Sequence, residues 1–153
     1  MRLLIAALLA APVLAAGCAP ASRPAAAPTV EFLAAPTAAA AALPFSPAVR
    51  VGSMLYLSGQ IGVNEAGDLV AGGIEGETRQ TMENIGAVLA RHGSSFDRVV
   101  KCTVMLADMK EWGAMNTVYV TYFPAHRPAR SALGASGLAR GARVEIECLA
   151  TVG

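Results

Sequence analysis

Val144-Glu145-Ile146-Glu147-Cys148-Leu149-Ala150 alternates apolar residues with carboxylates through its first five positions, the period of two expected of a strand with one face on a core. On that pattern Val144, Ile146 and Cys148 face one way, and Glu145 and Glu147 the other. Upstream, Pro128-Ala129-Arg130-Ser131-Ala132-Leu133 sets a guanidinium among small and apolar neighbours and reads as a second strand. Gly134, Gly137 and Gly141 supply turn signals between the two, which predicts one sheet with these strands as neighbours or near neighbours.

The same reading along the rest of the chain predicts a short strand at Val30 to Leu33 and a hairpin from Ala48 to Val51 and Ser53 to Ser58, turning at Gly52. Asn64 to Asp68 is a polar loop. Thr78, Thr81, Met82, Ile85, Val88 and Leu89 recur at helical spacing over Glu75 to His92, and Gly93 supplies a left-handed stop. Arg98 to Leu106 is β-branched and apolar enough for a central strand, and Glu111 to Phe123 forms a second helical segment ending before Pro124. The alanine run Ala38 to Ala42, bounded by Pro36 and Pro44, reads as an extended loop. The element order indicates an α+β domain with two helices on one face of a mixed sheet. The other face then needs a cover, for which oligomerisation is physically sensible.

Composition changes this picture mainly at the N-terminus. Met1-Arg2, an apolar stretch from Leu3 to Leu14, and Ala15-Ala16-Gly17-Cys18 have the layout of a bacterial secretory signal, so we read residues 1–17 as a leader. Small residues before Cys18 also match a lipoprotein signal that would make Cys18 the lipidated mature terminus; Leu14 sits one place early for that pattern, which leaves simple cleavage after Ala15 or Ala16 as the alternative. The stretch is shorter than the ~20 residues of a membrane span. Residues 18–29 are Ala/Pro-rich and read as a tether, and residues 30–153 as one domain. The expected location is exported, on the periplasmic side of a membrane, with lipid as the only membrane contact. A formal net charge of +1 without a Lys/Arg cluster argues against a nucleic-acid surface.

Candidate chemistry centres on Arg130. Flanked by Ala129 and Ser131, its five-donor fork can grip a planar carboxylate through two parallel hydrogen bonds, which suits a small anionic molecule; an intra-sheet pair with Glu145 or Glu147 is the alternative. Cys102 and Cys148 fall in apolar strands with no neighbouring His and read as buried structural thiols, although an exported location would permit a disulfide. His92 and His126 lack ligand spacing, so no metal is expected, and Gly72-Gly73-Ile74-Glu75-Gly76 lacks the Lys-Ser/Thr of a P-loop.

The blocks Arg50-Val51-Gly52-Ser53-Met54-Leu55-Tyr56-Leu57-Ser58-Gly59-Gln60-Ile61, Thr78 to Ile85, Val99 to Asp108 and Met115-Asn116-Thr117-Val118-Tyr119, with the two C-terminal runs, resemble the Rid family in order and content from Leu43 to Gly153. This is the RidA/YjgF group of reactive intermediate (imine/enamine) deaminases. The resemblance implies a chorismate-mutase-like sandwich, a homotrimer with sites between subunits, no cofactor, and hydrolysis of 2-imino or 2-enamino acids to 2-oxo acids and ammonium. It assigns Arg130 to the substrate carboxylate and Glu145 to the attacking water, with Glu147 as rival for that role. Asn116 takes the place of a site asparagine, and Gly59 matches a position whose backbone lies against the ligand. Phe45 stands where many members carry Tyr, and Ala132 where many carry Cys, so a phenol and a thiol are missing here. The alternative is a non-catalytic ligand-binding or scaffold trimer on the same fold. Some members have been described as ribonucleases, a role this charge distribution does not favour.

Overall fold

The computed structural model describes residues 26–153; the leader and Cys18 lie outside them. Seven strands form one mixed sheet: β1 (Val30–Phe32), β2 (Ala48–Val51), β3 (Met54–Leu57), β4 (Gln60–Ile61), β5 (Val99–Leu106), β6 (Ala129–Gly134) and β7 (Val144–Thr151). Their order across the sheet is β1-β2-β3-β7-β5-β6, with β4 also paired to β7. All pairings are antiparallel except β5 with β6. Thus the two C-terminal strands are near neighbours, with β5 between them. A parallel pair needs a crossover, and the helical segment between β5 and β6 supplies it.

Among the described residues there are three α-helices: α1 (Ala38–Ala41), α2 (Gly73–Arg91) and α3 (Trp112–Tyr119), the last continued by a 3-10 turn over Val120–Tyr122. The first corrects the expectation of an extended loop at Ala38 to Ala42. Pro36 precedes the turn and Pro44 follows it, where neither ring obstructs an intrahelical bond, and Thr37 Oγ1 accepts the Ala40 N–H at 3.1 Å. α2 ends as predicted: Gly93 has φ +75°, and the Ser94 N–H returns to the Leu89 carbonyl at 2.9 Å.

The helix-facing side of the sheet forms the core. Val144, Ile146, Cys148 and Ala150 of β7, Cys102, Val104 and Leu106 of β5, and Leu55 and Leu57 of β3 pack against Met82, Ile85 and Leu89 of α2 and Met115 of α3. Each large side chain buried there contributes ~1.5–3 kcal/mol. Cys102 and Cys148 stand opposite each other across β5 and β7 and are joined as a disulfide, so the two buried sulfurs are not free thiols. Asn84 ties α2 to β4 by donating to the Ile61 and Val63 carbonyls, both at 3.0 Å. The opposite face carries exposed Tyr56 and half-buried Lys101, Thr103, Glu145 and Leu149.

Candidate functional site

Alternation along each strand separates the expected residues into two groups. Arg130 pairs in parallel register with the core residue Cys102, so its side chain rises on the helix side of the edge strand β6. There Nη1 donates to Asn116 Oδ1 at 2.7 Å. The guanidinium carbon lies 4.8 Å from the Tyr119 ring centroid and 5.8 Å from that of Trp112. Trp112, Asn116 and Tyr119 are spaced four and three apart, which puts them on one face of α3. Ala132, two residues after Arg130, shares its face. The intra-sheet Arg–Glu pair is not formed: among the described residues Arg130 makes no ion pair, and Arg143 with Glu111 is the pair present.

Tyr119 is buried, and its hydroxyl has no hydrogen-bond partner among the described residues. Burial pushes this phenol up to about 12, with the positive charge of Arg130 opposing the shift. It is therefore neutral at ordinary pH.

Glu145 lies on the other face of the sheet, between the buried residues Val144 and Ile146. Its environment is set by an irregularity. β3 and β4 run in succession along β7, with Tyr56 opposite Leu149 and Gln60 opposite Ile146. Leu57, Ser58 and Gly59 thus stand against only Cys148 and Glu147, which is a bulge. Gly59 sits in it against the Glu145 carboxylate: a Cβ there would overlap Oε1 and lie 3.0 Å from Cδ. Ser58 fastens the bulge to the segment after α1, its Oγ donating to the Ser46 carbonyl at 2.7 Å and its N–H to the Pro47 carbonyl at 3.1 Å. Phe45 is next in that segment and exposed, lining an open groove with Phe32, Leu43 and Pro47. Glu147 is on the Glu145 face but exposed, beside a cavity of about 270 Å³ with Tyr56, Lys101, Thr103 and Leu149.

The fold therefore brings Arg130, Asn116 and Ala132 together, places Glu145 against Gly59 with Phe45 on an adjoining segment, and separates the two groups by the thickness of the sheet. Sequence reasoning missed Trp112, Tyr119 and the bulge. Trp112 and Tyr119 were legible as positions on one helix face with Asn116, but not as the face that meets Arg130. Among the described residues no group of His, Cys, Asp and Glu could hold a metal ion.

A family model described as Endoribonuclease L-PSP matches residues 35–152. Mouse 2-iminobutanoate/2-iminopropanoate deaminase is 46% identical over 111 residues, covering 72% of this chain and 82% of the mouse protein. Among solved structures, the Rid-family protein YyfA from Yersinia pestis superposes with a TM-score of 0.76 at 39% identity, covering 81% of this chain and 100% of that one. The structure of Escherichia coli TdcF with bound serine gives 0.68 at 31% identity, covering 72% and 89%.

Proposed function

This chain belongs to the Rid (RidA/YjgF) family, and from that membership we propose that it is a hydrolase of 2-imino and 2-enamino acids, releasing a 2-oxo acid and ammonium without a cofactor. The observation that carries the reading is Arg130, a guanidinium held by Asn116 and by aromatic rings yet not neutralised by a carboxylate among the described residues. Its remaining N–H groups suit the carboxylate of such a substrate, at ~1.5–3 kcal/mol per charge-assisted bond. The serine bound in TdcF carries a carboxylate as well.

In the proposed reaction Glu145 accepts a proton from water as the water oxygen adds to the C=N carbon. From the protonated imine this gives a neutral carbinolamine; Glu145 returns its proton to the nitrogen, the C–N bond breaks with loss of ammonia, and the hydroxyl proton passes to that ammonia as ammonium while the 2-oxo group forms. Gly59 supports this role, because its lack of a Cβ leaves room for the carboxylate. Arg130 and Glu145 point away from each other within one chain, so the active site is proposed to take Arg130, Asn116 and Ala132 from one copy and Glu145, Gly59 and Phe45 from another. A homotrimer, as the resemblance implies, would also cover the open face of the sheet. The experiment is 2-oxo acid release from imines made in situ by an amino-acid oxidase; a purified protein that does not accelerate it contradicts the reading.

Export is proposed on separate grounds. The Cys102–Cys148 disulfide suits an oxidising compartment, in keeping with the leader. Fractionation and the mass of the mature N-terminus test it, and lipid on Cys18 would appear in that mass. An intact Met1 on cytoplasmic protein contradicts export.

A further inference from the structure

Asn116 alone does not fix the plane of the Arg130 guanidinium. One hydrogen bond, from Nη1 at 2.7 Å, leaves the group free to swing about that contact, whereas gripping a carboxylate with two parallel bonds requires a set plane. The Tyr119 ring stands where it could supply the missing restraint. It lies 4.8 Å from the guanidinium carbon, inside the distance at which the negative face of an aromatic ring attracts a cation, and only 4% of the residue is exposed. The ring is itself braced, packing on Phe123 at 4.9 Å, which in turn meets Phe96 edge-on at 5.5 Å. Trp112, at 5.8 Å and 43% exposed, is the weaker second face. The Tyr119 hydroxyl has no partner among the described residues, so the π-face of the ring, and not a phenol hydrogen bond, is what this residue offers to Arg130.

We propose that Tyr119 is a positioning residue for carboxylate recognition: its ring holds the Arg130 guanidinium in the plane that receives the substrate, acting through Arg130 without touching the reacting atoms. The inference rests on the assignment of Arg130 to the substrate carboxylate. Because the carboxylate is gripped equally before and during the reaction, loss of the clamp weakens binding and spares turnover. Neutrality of the phenol at ordinary pH keeps the clamp independent of pH in that range.

A purely structural role for Tyr119 is separated from this one by an isosteric series. Phenylalanine, then its mono-, di- and trifluoro analogues, would be placed at position 119, with KM, kcat and the Kd for 2-oxobutanoate measured for each. Tyr119→Phe is expected to fold and to keep KM within about twofold, since the ring is retained and no hydroxyl bond is lost. Across the fluorinated series, as the ring face loses electron density, KM and Kd should climb in step to about tenfold above the parent while kcat holds. A flat series, or a fall in kcat at constant KM, overturns the inference. If the parent binds 2-oxobutanoate but hydrolyses no imine, the proposed activity fails while the Kd series still decides the clamp. A parent that binds no 2-oxo acid overturns both.

Discussion

Arg130 and Glu145 lie on opposite faces of one sheet, on strands β6 and β7 separated only by β5. The guanidinium is drawn to the helix side by Asn116, Tyr119 and Trp112; the carboxylate is set into the Gly59 bulge on the other side. Two groups so placed cannot serve the same small molecule within one chain. Under the proposed function they therefore come from two copies of the chain.

Replacing Arg130 by Ala should raise KM strongly and lower kcat/KM by about 10- to 100-fold, since at least one charge-assisted carboxylate bond is lost. Lys should recover little, because an ammonium cannot form the parallel pair of hydrogen bonds. Steady-state kinetics on 2-iminobutanoate check this, and unchanged kcat/KM in Arg130→Ala would remove the anchor.

Glu145→Gln should cut kcat by about 10²- to 10⁴-fold with a small change in KM, as loss of a general base does. Glu147→Gln, at an exposed position, should leave kcat near that of the parent. The reverse pattern would move the water to Glu147.

Gly59→Ala should damage catalysis without removing a functional group. Its Cβ would enter the space of the Glu145 carboxylate and turn it aside, so kcat should fall while the fold survives at a cost of about 1–3 kcal/mol. Thermal unfolding and kinetics on the same sample separate the two effects.

The disulfide closes a separation of 46 residues between β5 and β7. Reduction should cost about 2–4 kcal/mol, lowering the unfolding midpoint by roughly ten degrees. The Cys102→Ala, Cys148→Ala double variant should be insensitive to dithiothreitol. A parent whose midpoint ignores reductant would show that the bridge adds no stability.

The elements that repeated a period over many residues were legible in the sequence. The alternation through Val144 to Cys148 gave the faces of β7, and the recurrence of Thr78, Met82, Ile85 and Leu89 gave α2. β6 was legible as a strand but not by face: Ala129-Arg130-Ser131-Ala132 has no alternation of large apolar and polar groups, and the face of Arg130 is set by parallel pairing with β5, which is tertiary information. The bulge at Ser58-Gly59 was hidden for a related reason. Its glycine answers to a carboxylate 86 positions further on, and no local pattern records that approach. The turn at α1 is not legible locally, because flanking prolines oppose a helix only when they fall among its hydrogen-bonded residues, and Pro36 and Pro44 both lie outside them.

Subunit complementation tests the shared site most directly. Arg130→Ala and Glu145→Gln chains, each strongly impaired alone at substrate well below KM, would be co-expressed with different tags, the mixed oligomers purified, and 2-oxo acid release measured under that condition. In a mixed trimer one site of the three pairs an intact Arg130 from one copy with an intact Glu145 from its neighbour, so about a third of the parent activity should return. Mixed oligomers no more active than the two variants assayed separately would contradict a site built from two copies.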